Sequence, residues 1–446
     1  MRNDDARSGR TFSRGTHWFR RGLAVGFALM LILCQCSSLL AEPWPGWRGP
    51  RGDGSSNETD IPLTWNGETG ENIVWKIPIP GKGHSSPVVW GDRVFVTTCL
   101  EEDQRRMLLC LDRQTGKLLW QQEVLRADLE ILHRLNSHAS GTPVTDGQRV
   151  YVCFFEASGD TDKDPVETNR DRSPGSIVVA AYDFEGKELW KVRPGPFASL
   201  HGFSSNPILY RNLVIINGDH DGEAYLVALD NKTGDIVWKI DRENKKRSYT
   251  TPIIRTIDGR EQMILAGSMC VASYDPNNGQ RHWIIDGPTD QFVASAVYGS
   301  GLIFITAGFP ERHMLAIRPD GHGNVTDTHI AWRTRNACAY VPSPAAVDKY
   351  FVVVTDRGVG SCFEATTGQR LWKERLGNES FSASPVVIAG LVYFLDEAGT
   401  THVIRPGPSL DQVAENRLGE ACYASPAVSD GQIFIRGEKH LWCIGK

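Results

Sequence analysis

The sequence predicts an all-β fold: an eight-bladed β-propeller of four-stranded antiparallel blades. Three observations carry this reading. A Ser/Thr/Asn-Pro step recurs down the chain, a Gly-x-x-x-Trp step follows it in most repeats, and the last repeat stops one strand short while a spare strand stands near the other end of the chain.

The first step occurs at Ser86-Pro87, Thr142-Pro143, Asn206-Pro207, Thr251-Pro252, Ser343-Pro344, Ser384-Pro385 and Ser425-Pro426, with Ser295-Ala296 at the remaining place. These eight starts lie 41 to 64 residues apart. A short turn and an apolar run follow most of them, as in GDRVFVTT, DGQRVYVCFF and DGQIFIRG. Short strands at a regular period, with turn residues between them and no helical pattern, describe propeller blades.

The second step places Gly four residues before Trp, at Gly116/Trp120, Gly186/Trp190, Gly234/Trp238, Gly279/Trp283 and Gly368/Trp372. A tight hairpin of three to five residues wants a Gly with positive φ at its end. A Trp on the outermost strand then buries a large apolar area between neighbouring blades.

The eighth unit, YASPAVSDGQIFIRGEKHLWCIGK, ends after its third strand, and the segment TGENIVWKIPI with Trp75 supplies the missing one. The N-terminal strand is therefore expected to complete the C-terminal blade and lock the ring, removing exposed sheet edges. The division that follows is a leader at 1–41, an N-terminal extension at 42–72 and the propeller at 73–446.

The leader carries Arg14, Arg20 and Arg21, an apolar run from Leu23 to Leu33, a short polar step and Ala41. That is the layout of a secretory signal peptide, with an apolar stretch too short to span a bilayer. Cleavage near Ala41 would deliver the chain to the periplasm or cell envelope without a transmembrane segment. Cys34 and Cys36 raise a lipoprotein route and Arg20-Arg21 a twin-arginine route. The chain has 48 basic and 53 acidic residues, and the absence of any basic block argues against nucleic acid and anionic membrane as partners. Eight cysteines follow the leader, at 99, 110, 153, 270, 338, 362, 422 and 443. Cys110, Cys362 and Cys443 align with Ala181, Ala228, Ser273 and Ala316 of other repeats. A position that accepts Cys, Ala and Ser wants a small buried side chain; a Cys99–Cys110 disulfide is the competing possibility.

The candidate site lies just before the innermost strands. His84, His138 and His201 stand three to six residues ahead of their Pro, and Tyr249, Phe292, Tyr340, Phe381 and Tyr423 hold the equivalent places. In a propeller these segments converge on one mouth of the axial channel. The eight side chains are thus expected either to pack between strand starts or to form a stacking and hydrogen-bonding platform for a protein partner, small molecule or glycan. Three His could instead ligate a transition metal. Asp160, Asp162 and Asp164 alternate like the start of a calcium loop, but Pro165 stands where an EF-hand needs Gly, so they are weak metal candidates. Glu156, Asp219, Asp356 and Asp396 end second strands and could face the funnel. No G-x-S-x-G, H-E-x-x-H or Walker A sequence is present.

From Ile73 to Lys446 the repeats resemble the PQQ-like (pyrrolo-quinoline quinone) β-propeller superfamily. WPGWRGPRGDG, residues 44–54, resembles a secreted subgroup typical of planctomycete bacteria. The superfamily holds quinoprotein dehydrogenases, which bind PQQ and Ca²⁺ in the funnel, and non-enzymatic propellers such as BamB. The sequence lacks the vicinal Cys-Cys pair of the dehydrogenases and the C-x-x-C-H of a cytochrome domain. The resemblance therefore implies an exported, non-catalytic binding or scaffolding propeller. A quinone-dependent oxidoreductase of reduced pattern is the alternative, and a carbohydrate-active propeller ranks behind it.

Overall fold

Runs rich in Val, Ile and Phe, punctuated every few residues by Gly and Asp, fold into short twisted strands rather than helices. The computed structural model describes residues 42–159, 162–163 and 171–446; the leader expected at 1–41 lies outside the described residues. Among the described residues the only helical turn is Glu101–Asp103. Eight antiparallel sheets follow in chain order. Blade 1 consists of Val88–Trp90, Arg93–Leu100, Arg105–Asp112 and Leu118–Arg126. Blades 2 to 7 occupy 144–199, 208–241, 253–286, 297–334, 345–375 and 386–417. Blade 8 takes Ala427–Ser429, Gln432–Arg436 and His440–Ile444 from the C-terminus and Ile73–Pro78 from the N-terminal side. That last pairing is antiparallel, with Trp75 opposite Cys443 and Ile77 opposite Leu441.

The register explains the small-residue position. Cys110 pairs with Trp120, Ala181 with Trp190, Ala228 with Trp238, Ser273 with Trp283, Ala316 with Trp332, Cys362 with Trp372 and Cys443 with Trp75. A bulky indole on the outer strand leaves room only for a small partner beside it. All eight described cysteines are free and buried, Cys99 pairs with Arg106 and Cys110 with Phe95, so the possible Cys99–Cys110 bridge is not formed. Blade 7 reverses the volumes: Val403 faces Ala414, and Trp65 from the extension stacks on Tyr393 at 6.4 Å.

The tryptophans join blade to blade. Trp75, Trp120, Trp190, Trp238 and Trp332 each donate Nε1–H to a carbonyl of the following blade, at Arg113, Phe184, Asn231, Pro276 and Ala365, over 2.8 to 3.2 Å. Each indole also lies against the turn glycine of that next blade. Gly116, for example, has φ 71°, and a Cβ there would sit 2.9 Å from Trp75. The glycine thus serves the turn and the neighbour's indole together.

A second set of links runs near the axis. The amide of Ser86 donates to Thr142 Oγ1 at 2.9 Å, that of Thr142 to Asn206 Oδ1 at 2.7 Å, and Asn206 Nδ2 donates to Thr251 Oγ1 at 2.8 Å. The series continues from Thr251 to Ser295, Ser343, Ser384 and Ser425, each amide reaching the next hydroxyl over 2.8 to 3.0 Å. At the seam where the two chain ends meet, Arg436 donates to the Thr97 carbonyl and Ser85 Oγ, and Arg113 to the Ser429 carbonyl.

The extension crosses the opposite end of the innermost strands. Trp44 exchanges both backbone hydrogen bonds with Val89 of blade 1, and the Pro45 carbonyl accepts from Thr145 of blade 2. Asp53 pairs with Arg255 of blade 4, Arg48 donates to the Pro344 carbonyl of blade 6, and Ser55–Ser56 adds a parallel strand to blade 7. The Glu42 carbonyl accepts from Ser429 of blade 8.

Two outcomes are expected. Deleting residues 42–80 removes a whole strand of blade 8 together with residues 42–56, the plug, so the melting temperature should collapse; a truncated chain melting with the full one would refute closure. Ser343→Ala leaves the buried Ser295 amide without its acceptor and should cost about 1–3 kcal/mol in urea unfolding. Ser409→Ala, on an exposed turn, should stay within roughly 0.5 kcal/mol.

Candidate functional site

Loops arriving at the innermost strands and turns between second and third strands lie at the same end of every blade, because the second strand returns to where the first began. This end forms the open mouth. The plug sits at the far end of the innermost strands.

The candidate side chains divide by burial. Phe292 and Phe381 are fully buried in hydrophobic clusters, 0 % and 1 % exposed, so they pack between blades rather than line an opening. His84, His138, His201, Tyr249, Tyr340 and Tyr423 are half-buried. The eight positions therefore do not form one uniform ring.

Four of the half-buried six, joined by one residue the repeat pattern does not mark, form an arc. His84 stacks on Tyr423 across the seam, with centroids 4.6 Å apart and planes at 28°. His201 lies 6.4 Å from Tyr249 and 5.8 Å, edge-on, from His133. The loop 127–143 connects these two groups. It contacts the His84 ring through the Leu135 carbonyl, and it reaches the His201 carbonyl with the His133 amide at 3.2 Å and Asn136 Nδ2 at 2.7 Å. The arc thus runs from blade 8 to the entry of blade 4. His133 is set by that loop rather than by an offset from Pro, so the repeat frame gives no signal for it.

His138 belongs elsewhere. Its Nδ1 lies 3.4 Å from Glu101 Oε1 and its Nε2 3.1 Å from the Glu130 carbonyl, beside the buried Arg106–Glu130 pair at 2.7 Å. Tyr340 stands across the mouth, with its hydroxyl 3.3 Å from Gln291 and its ring over Gly308.

The strand-end carboxylates are already engaged. Asp219 holds Arg242 at 2.8 Å, both nearly inaccessible to solvent, and Glu156 holds Arg193. Asp356 accepts the amides of Tyr340 and Val341 at 3.0 and 2.8 Å, and Asp396 holds His402 at 3.2 Å. Burial, then the Arg436 guanidinium, drives the His84 pKa down to about 4, so its ring is neutral near pH 7. Burial pushes the thiols up, Cys99 to about 11, which leaves them protonated and unreactive. Among the described residues no three His, Cys, Asp or Glu side chains converge as a metal site. Asp160 and Asp164 lie outside the described residues, and Asp162 is described only as strand backbone.

The fold is shared with known proteins. A family model described as outer membrane protein assembly factor BamB matches residues 62–161, 108–300 and 324–412. The crystal structure of BamB from Moraxella catarrhalis superposes with a TM-score of 0.56 at 12 % identity, covering 84 % of this chain and 97 % of that one. A quinohemoprotein alcohol dehydrogenase from Comamonas testosteroni gives 0.52 at 12 % identity, covering 91 % and 81 %. The computationally designed Ika8 protein gives 0.54 at 13 % identity, covering 82 % and 98 %. These likenesses concern the fold. No curated protein sequence matches the chain. With the family model matching well over half of its length, the chain belongs to the PQQ-like repeat β-propellers described as outer membrane protein assembly factor BamB.

Proposed function

We propose that this is an exported, non-catalytic binding propeller whose mouth, along the arc Tyr423–His84–His133–His201–Tyr249, receives a segment of a protein partner. The observation that carries this reading is the commitment of the mouth's strand-end carboxylates to Arg, His or loop amides. A calcium–quinone centre needs carboxylates free to coordinate and to accept a proton. Rings pairing apolar faces with polar edges suit instead the capture of aromatic and polar side chains. The family description as an assembly factor and the leader-like segment at 1–41 support a partner in the cell envelope. No described helix is long and apolar enough to cross a membrane.

The competing quinone-dependent oxidoreductase is separated by one measurement. The mature protein incubated with PQQ and Ca²⁺ and then gel-filtered should carry no quinone absorbance, whereas one bound quinone per chain would overturn the proposal. In the same reading, His133→Ala with His201→Ala should leave the melting temperature within about 3 °C while abolishing co-purification with envelope partners after cross-linking. A collapse of stability would make them packing residues.

The arc also titrates. A His whose folded pKa is depressed from 6.5 to about 4 binds its proton more readily when unfolded. Its contribution to stability is therefore present above pH 6.5 and is lost as the pH falls towards 4. His84→Phe keeps the stack on Tyr423 without a titrating group, and should flatten the decline in melting temperature between pH 6.5 and 4. An unchanged slope would contradict the neutral His84.

A further inference from the structure

The plug carries a buried charge that the ring does not balance. In WRGPRGDG the chain turns back on itself, with Gly49 bonded to the Gly46 carbonyl at 3.0 Å and Gly54 to the Arg48 carbonyl at 2.9 Å. This loop holds Arg48 in the left-handed region, φ 61°, a conformation uncommon for a residue with a side chain. Strain of that kind persists only where the surroundings impose it. Here it turns the guanidinium inward, to 1 % exposure, against the start of blade 6's innermost strand. Gly54 makes this possible, since a Cβ there would meet the Arg48 Nη2 at 3.0 Å and the Pro385 carbonyl at 2.6 Å.

The hydrogen bonds of that guanidinium are half made. Nη2 donates to the carbonyls of Asp53 and Pro344, while Nε and Nη1 are buried with no partner among the described residues. Asp53 does not supply one. Its Oδ1 accepts from the Ser55 amide and hydroxyl, and its Oδ2 accepts from Arg255 at 2.6 Å. Arg51 is taken by Glu42 at 2.7 Å and cancels against it. Two guanidinium groups, Arg48 and Arg255, thus share one carboxylate, leaving one excess positive charge. A buried donor without an acceptor is destabilising, and a buried uncompensated charge more so.

We propose that Arg48 Nε and Nη1 bind a small inorganic anion of halide size inside the axial channel, which completes the Arg48–Asp53–Arg255 cluster and fastens the plug. Burial lowers the Arg48 pKa to about 10, Asp53 offsetting part of the shift and Arg255 adding to it. A cavity of about 310 Å³ between the plug and blades 1 to 4 is lined by Arg255 and Arg51, and so adjoins the cluster on its Arg255 side. This site lies on the plug, against blades 4 and 6, and does not depend on the function proposed for the arc.

Bromide tests the site directly, because it substitutes for chloride and scatters anomalously. Crystals of the mature protein grown without halide and soaked in bromide should show an anomalous peak within hydrogen-bonding reach of Arg48 Nε or Nη1. In solution, replacing gluconate by bromide over a hundredfold range at constant ionic strength should raise the melting temperature by about 3 °C. Arg48→Met should lose that rise. Should that variant fail to fold, Arg255→Met serves, because it frees Asp53 to neutralise Arg48 and should abolish the response with Arg48 in place. An ordered water without anomalous signal at Arg48 overturns the proposal, as does a bromide response that survives either substitution.

Discussion

Each innermost strand of a propeller is an edge strand, and its first amide points away from its own sheet. That amide is buried against the next blade, where water cannot serve it, so a side-chain oxygen must. Ser, Thr and Asn immediately before Pro meet the need: the hydroxyl or amide oxygen accepts from the preceding blade, and the residue's own N–H, or for Asn206 its side-chain Nδ2, donates onward. The Pro fixes its predecessor in extended backbone and removes a donor that would face the channel. Ser295, followed by Ala296, shows which half is indispensable. The hydroxyl is kept, its links to Thr251 and Ser343 are made, and the Pro is not needed. The approach of neighbouring blades at their innermost strands is fixed by this belt.

What could be read from the sequence was whatever repeats. The Ser-Pro belt, the Gly–Trp hairpins and the small residues recur at a fixed phase, and each reflects one contact made several times over. The small-residue position reads correctly as tight packing, although its cause, the cross-strand indole, becomes visible only in the register of Cys110 with Trp120 and its equivalents. Exceptions to the repeat were not legible. In blade 7 the missing indole is offset by Val403 within the blade and by Trp65 from more than 300 residues away. No periodic argument links those positions. The mouth shows the same division: an offset from Pro marks His84, His201, Tyr249 and Tyr423, which share the arc with the unmarked His133, and equally marks His138, Phe292, Tyr340 and Phe381, which lie outside it.

Two ion pairs at the mouth are withdrawn from water. Arg106–Glu130 and Arg242–Asp219 are both close to fully buried. Pairs of this kind add little net stability over apolar replacements, yet removing one partner is costly. Their effect is to hold particular loops in particular places. Arg106 bonds the Ala127 and Asp128 carbonyls as well as Glu130, and so anchors the base of the loop that carries His133 over the channel. The loop that carries His133 is therefore anchored on a buried ion pair.

The extension completes this asymmetry. Residues 42–56 touch blades 1, 2, 4, 6, 7 and 8 at the far end of the innermost strands, and residues 73–78 then close blade 8. A ring closed only by Ile73–Pro78 would depend on a single strand pairing at its seam, the place where thermal opening starts in a closed array of like units. A segment bonded to six blades ties that seam to the rest of the ring, because opening it must also strip the plug from blades that are not adjacent. The same segment crosses the ring from blade to blade, so the closure of blade 8 and the packing of the innermost strands depend on one stretch of chain.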